Sequence, residues 1–173
     1  MSPSDADRPV LKRSFPPIVG RDASLLILGS LPGEVSLARL QYYAHPQNRF
    51  WRLMAEVLED SDADGPDYET RLAALALGGV GLWDVVRSAT RTGSLDANIR
   101  RHAPNALADL VAGLPRLKAV AFNGAKAAAI GRRLILPDGG RALVDLPSSS
   151  PANTRPFPEK RAAWLALRPF LRR

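Results

Sequence analysis

The chain has 173 residues, with 24 Lys and Arg against 17 Asp and Glu, two histidines and no cysteine. That length suits one domain, residues 1–173, and the absence of cysteine excludes disulfides and thiolate metal sites, while two histidines are too few for a multi-histidine zinc centre. A formal net charge of +7 and a pI near 10.5 are the electrostatic footprint of a polyanionic partner, because each neutralised phosphate releases condensed counterions.

In chain order, the opening "MSPSDADRPVLK", residues 1 to 12, reads as loosely ordered and carries no apolar signal core. With no run of about 18 apolar residues anywhere, a cytoplasmic monomer with no membrane association is expected. "SLLILGS", residues 24–30, is an apolar run bounded by turn residues and predicts a short buried strand. A helix over Phe50 to Glu59 follows, then "DSDADGPD" at 60–67 and a helix over Tyr68 to Leu77. The acidic run imitates the start of a calcium loop at Asp60, Asp62, Asp64 and Gly65, but position 12 is Arg71, so it reads as a surface linker. Further strands are predicted over 79–86, 117–124 and 141–149, with helices over Ala106 to Leu110, Ala125 to Leu134 and Pro158 to Leu171.

Strands alternating with helices predict an α/β fold, with a mostly parallel sheet covered on both faces and its cleft at the strand C-termini. All four predicted strands end in residues able to do chemistry: "GSLPG", "WDVVRS", "FNGAK" and "LPSSSPANTR". The first is neither a Walker loop nor a dinucleotide fingerprint, which disfavours a nucleotide cofactor. It is suited to a sharp turn that presents the backbone N–H groups near Ser30 and Leu31 to a carbonyl oxygen or an anion. "QYYAHPQNRFW" places Tyr42, Tyr43, His45 and Asn48 in a proline-bearing loop ahead of a helix anchored by Phe50, Trp51 and Met54. Aromatic faces in the cleft of a basic protein suit stacking on an exposed base, against the plainer reading of a loop that plugs its own apolar cluster. Asp84 either caps the next turn or is aimed into the pocket, and Asn123 is either a turn residue before Gly124 or a pocket residue.

Taken together, these segments resemble the uracil-DNA glycosylase superfamily, most closely its hypoxanthine-DNA glycosylase branch. "GSLPG" with "YYAHPQNRFW", "GLWDVVRSATRTGSLDANI", "AFNGAKA" and "LPSSSPAN" occur in the family's order and span residues 24 to 153. The resemblance implies a three-layer α-β-α sandwich with a central four-stranded parallel sheet. It also implies an enzyme that flips uracil or hypoxanthine out of DNA and hydrolyses its N-glycosidic bond, leaving an abasic site, with no metal or cofactor. Related branches place a water-positioning Asp or Asn where this chain has Leu31, and the branch resembled here is associated with an Asn in the "HPxN" segment, so that role is carried to Asn48. Tyr43 matches an aromatic that stacks on the flipped base, and Asp84 stands where related branches carry a base-pairing Asn. The expected site therefore comprises Asn48 and Asp84 as catalytic residues and Gly29, Ser30, Leu31, Tyr43 and Asn123 around the base. His45, Lys126, Ser148, Ser149, Ser150, Pro151 and Arg155 are expected on the DNA strand. Two other readings are a noncatalytic nucleic-acid-binding module stacking bases on Tyr42 and Tyr43, and a serine hydrolase using Ser30, His45 and Asp84.

Overall fold

The computed structural model of the protein describes residues 9–138 and 140–172. Its centre is a parallel sheet of four strands: β2 (Leu25–Gly29), β3 (Val80–Asp84), β6 (Ala119–Asn123) and β7 (Ala142–Leu146), in the order β3-β2-β6-β7. Successive side chains of a strand point to opposite faces, so each buried strand feeds two cores. Leu25 and Ile27 of β2 and Ala119 and Ala121 of β6 join α2 (Phe50–Leu58), α3 (Tyr68–Leu77) and α6 (Phe157–Trp164) on one face. Leu26, Leu28, Val120 and Phe122 join α4 (Leu107–Ala112) and α5 (Ala125–Leu134) on the other. Residues 25 to 28 are fully buried, each contributing about 1.5–3 kcal/mol of transfer free energy, which is why this run reads so clearly as a strand. The expected three-layer sandwich is present.

A second sheet was not expected. β1 (Val10–Arg13), β4 (Val86–Arg91) and β5 (Arg100–Pro104) form an antiparallel sheet in the order β1-β4-β5. The expectation of a loose segment over residues 1–12 therefore fails at Val10–Lys12, which pair with β4, while residues 1–8 lie outside the described residues. The strand predicted over 79–86 is two strands: β3 ends at Asp84, and after Val85 the chain enters β4. Asn105 holds this break, donating from Nδ2 to the Asp84 carbonyl at 2.8 Å and from its backbone N–H to the Val85 carbonyl at 3.0 Å. The apolar continuity of "GVGLWDVV" hid the break, since Val85 and Val86 are as buried as the strand before them.

Three smaller differences concern the ends of elements. A short helix α1 (Glu34–Arg39) follows the "GSLPG" turn, and the acidic run forms a 3-10 turn at Ser61–Asp64, capped by Asp60 accepting from the Asp62 N–H. The strand predicted over 141–149 stops at Leu146, leaving the small hydroxyl residues in a loop. The final helix is α-helical only to Trp164, then 3-10 over Leu165–Phe170, where Pro169 supplies no N–H to continue an α-helix.

Candidate active site

The C-terminal ends of β2 and β3 meet at Gly29 and Asp84, which are paired in register. A Cβ on Gly29 would lie 2.7 Å from Asp84 Oδ1 and 2.9 Å from the Tyr43 hydroxyl, so only glycine lets the loop 41–49 and the strand end approach this closely. Asp84 is buried, and its Oδ2 has no hydrogen-bond partner among the described residues. Burial first, and then the nearby Asp96 carboxylate, push the Asp84 carboxyl up to about 7, with Arg91 opposing the rise. Tyr43 stands in the left-handed region at φ 53°, and its ring stacks on Phe50 with centroids 3.9 Å apart. Its hydroxyl is likewise buried without a partner, and burial together with the Asp84 charge raises the phenol above its ordinary range.

The turn after β2 has a defined peptide orientation. The Gly29 carbonyl accepts from the Val85 N–H at 2.8 Å and the Ser30 carbonyl from the Val86 N–H at 3.1 Å. Across a trans peptide the N–H lies opposite the C=O, so the N–H groups of Ser30 and Leu31 face away from β4. Neither has a hydrogen-bond partner among the described residues. Arg91, almost fully buried, donates to the Leu31 carbonyl at 3.3 Å and to the Pro32 carbonyl, bracing the next turn. The Leu31 side chain leaves the site and packs in the apolar cluster with Val85, Val86 and Ile99. Its contribution there is a backbone one.

Asn48 sits at the mouth of α2, where its Oδ1 accepts from the Phe50 N–H at 2.9 Å and its backbone N–H donates to the His45 carbonyl. The adjacent Arg49 N–H donates to the Ser149 carbonyl at 3.0 Å, joining this loop to the one after β7. In that second loop Asn123 and Ser149 are closed on each other. Asn123 Nδ2 donates to Ser149 Oγ and the Ser149 N–H donates to Asn123 Oδ1, both at 2.9 Å. Ser148 Oγ accepts from the Ser150 N–H, and Ser150 Oγ from the Ala152 N–H, so these hydroxyls shape the loop from within. Gly124, at φ 100°, passes the chain from β6 into α5 against Ser148, with Lys126 half-buried in the first turn of that helix.

Beside this loop opens a cleft of about 380 Å³ lined by Arg49, Pro151, Arg155 and Lys160 among others. Arg155 lies 4.0 Å from Glu159. His45 is exposed, its Nδ1 accepting from the Gln47 N–H. A second hollow of about 220 Å³, lined by Ile18, Leu75 and Val80, lies at the opposite, N-terminal end of the strands and shares no residue with the site.

Several residues of the site carry no signal in the sequence. Asp96 accepts a 2.6 Å hydrogen bond from Ser30 Oγ, across 66 residues of chain. Arg91 and Lys160 are buried cations. Lys160 donates to the carbonyls of Ser150 and Asn153, and burial lowers its proton affinity, with Arg49 and Arg155 adding to the effect. Two expectations fail geometrically. Ser30, His45 and Asp84 do not form a triad, since the Ser30 hydroxyl is given to Asp96 and His45 binds its own loop. Tyr42 is no stacking face either: it is buried in the core, with its hydroxyl donating to the Pro16 carbonyl.

With this geometry in hand, comparison with known proteins is specific. Residues 16–168 match the model of the uracil DNA glycosylase superfamily. A hypoxanthine DNA glycosylase of Methanosarcina barkeri is 39% identical over 153 residues, covering 88% of this chain and 95% of that protein. One from Methanosarcina acetivorans is 36% identical over 158 residues, covering 91% and 98%. The solution NMR structure of a proposed uracil DNA glycosylase from Methanosarcina acetivorans superimposes with a TM-score of 0.81 at 36% identity, covering 93% of this chain and 99% of that one.

Proposed function

This chain belongs to the uracil DNA glycosylase superfamily, and from that premise we propose that the deaminated base it removes is hypoxanthine in preference to uracil. It is a DNA glycosylase of base excision repair: it hydrolyses the N-glycosidic bond of a damaged base and leaves an abasic site. The preference for hypoxanthine rests on the two relatives, while the observation that carries the reading of a deaminated base against a normal one is the buried Asp84 carboxylate, its Oδ2 unpartnered among the described residues, at the end of β3 beside the Tyr43 hydroxyl. Hypoxanthine presents an N–H beside a carbonyl, where adenine has a ring nitrogen that only accepts. An ionised Asp84 accepts from that N–H. Facing adenine, it meets a second acceptor and stays unpaired, at a cost of about 1–3 kcal/mol.

The base must leave the duplex stack to reach this depth, which costs a few kcal/mol, and least for a mispaired base. Tyr43, backed by Phe50 on one face, stacks on the flipped base with the other. As the glycosidic bond breaks, the sugar becomes oxocarbenium-like and the base anionic. The free N–H groups of Ser30 and Leu31 stabilise that anion without reorganising, because the bonds to Val85 and Val86 and the Arg91 brace already hold the peptides in place. Asn48 aligns the attacking water. Its Oδ1 is fixed by the Phe50 N–H and keeps a second lone pair for a water proton. An amide is too weak a base to deprotonate water, so positioning is its whole contribution. Ser148 to Pro151, with Lys126, His45 and Arg155, hold the strand on either side of the flipped nucleotide.

The test is single-turnover excision on labelled oligonucleotides carrying hypoxanthine, uracil or neither, with alkali cleavage of the abasic product. Hypoxanthine is expected to be cleaved fastest, and Asn48→Ala to lower its rate by about 10²-fold. Faster cleavage of uracil would overturn the preference, and full activity in Asn48→Ala would remove Asn48 from the mechanism.

A further inference from the structure

The antiparallel sheet beside the pocket carries charge of one sign. Its strands hold Lys12, Arg13, Arg87, Arg91, Arg100, Arg101 and His102, and no Asp or Glu. Lys12 and Arg91 are buried and bound to the loops around Gly93 and Pro32. Arg100 is spent on the carbonyls of Ala97 and Ile99. Arg87, Arg101 and His102 are exposed, and none of the three makes a side-chain hydrogen bond or ion pair among the described residues. Arg87 and Arg101 also occupy the two irregularities of the β4–β5 ladder. Register shifts fall between Val86 and Ser88 and between Ser88 and Thr90, and Arg101 has φ 50°. Bulges next to active sites commonly re-aim side chains, and a left-handed arginine in a strand is retained only against its intrinsic cost.

This sheet is tied directly to the site. Val85 and Val86 hold the Gly29–Ser30 turn, and the loop leaving β4 returns Ser94 to the Glu34 N–H and Asp96 to Ser30. The acidic run 60–64 packs on the other face of the parallel sheet, through Ala63. The Arg49, Arg155 and Lys160 cleft adjoins the loop after β7, at the far edge of the parallel sheet from β3. Cations thus stand on the strands that continue the chain from β3 and on the segment that follows β7, and β3 and β7 are the two outer strands of the parallel sheet.

We propose that the β4–β5 ridge of Arg87, Arg101 and His102 is a second phosphate-binding surface, which grips the DNA backbone on the opposite side of the flipped nucleotide from the Arg49, Arg155 and Lys160 cleft. It rests on the DNA glycosylase reading for the identity of the polyanion. The experiment measures binding of undamaged duplex by fluorescence anisotropy across a salt series for Arg87→Gln/Arg101→Gln. The slope of log K against log salt should become shallower by about two, since each phosphate contact contributes about 0.9, and affinity near 0.1 M salt should fall on the order of tenfold or more. The single-turnover excision rate at saturating enzyme should stay at the wild-type value. Arg87→Lys/Arg101→Lys, which keeps both charges, should keep the slope. So should Arg133→Gln, at the far end of α5. A wild-type slope in the double Gln variant, or an equal loss in the folded Lys variant, overturns the proposal. If the double Gln variant melts early, each single variant must still lower the slope by about one. Loss of slope with no hypoxanthine excision in the wild type would sink the substrate reading and leave this surface standing. Full excision with an unchanged slope would do the reverse.

Discussion

The two halves of the pocket floor treat their polar groups in opposite ways. At the ends of β6 and β7, Asn123 and Ser149 exchange two hydrogen bonds, and Lys160 satisfies two carbonyls of the same loop. At the ends of β2 and β3, the Asp84 Oδ2 and the Tyr43 hydroxyl are buried without partners among the described residues, and two backbone N–H groups are left without an acceptor among them. Buried polar groups are nearly always paired, so the closed half reads as a frame and the open half as the place where an incoming molecule supplies the missing partners. Asn123, expected next to the base from its position on β6, also holds the loop after β7 through both bonds to Ser149.

The largest effect expected from breaking the comparison is at Asp84. Asp84→Ala should lower single-turnover hypoxanthine excision by about 10²- to 10³-fold. A fall below tenfold would mean that the open half does not read the base. Asn123→Ala should act mainly on stability: losing both bonds to Ser149 costs about 1–3 kcal/mol, seen as an earlier denaturant midpoint, with the hypoxanthine to uracil preference kept. A changed preference would return Asn123 to the base and erase the distinction between the halves.

The smallest effect is a shift in pH dependence. In the proposed role Asp84 would accept from the base only when ionised, so excision should rise with pH through about 7. Asp96→Asn removes the like charge that helps hold the proton on Asp84 and should move that rise down by about one unit, read from a pH–rate profile. The same raised carboxyl makes folding stability fall as pH rises from about 4 to about 7. Over that window the native state binds more protons than the unfolded chain, whose carboxyl has already ionised. An unmoved profile would show that Asp96 serves only to hold Ser30.

Much of the frame was legible from the residues. "SLLILGS" and "LKAVAFNG" are buried on both faces, and such runs have few options other than a central parallel strand. That the loops bearing the candidate residues meet at the strand ends followed from topology, because the ends of parallel strands converge on one edge. Leu31 was legible in part. It was set against the polar residue of related branches, and its side chain indeed takes no polar role, but its packing against Val85 and Ile99 needed the fold. The antiparallel sheet was illegible for a local reason. "VRSATR" and "RRHAP" are polar, short and irregular in register, so no apolar alternation marks them.

The sequence by itself determined the layers, the chain order of the parallel strands and the loops that meet at their ends, because burial on two faces writes itself into hydrophobic periodicity. Only the tertiary structure decided which polar groups are left open. That depends on contacts such as Ser30 with Asp96 and Lys160 with Ser150, made across 66 and 10 residues of chain. Hydrogen-bond satisfaction is a property of the neighbours that folding brings to a group. A carboxylate such as Asp84 is left open when burial removes its water and no partner among the described residues replaces it.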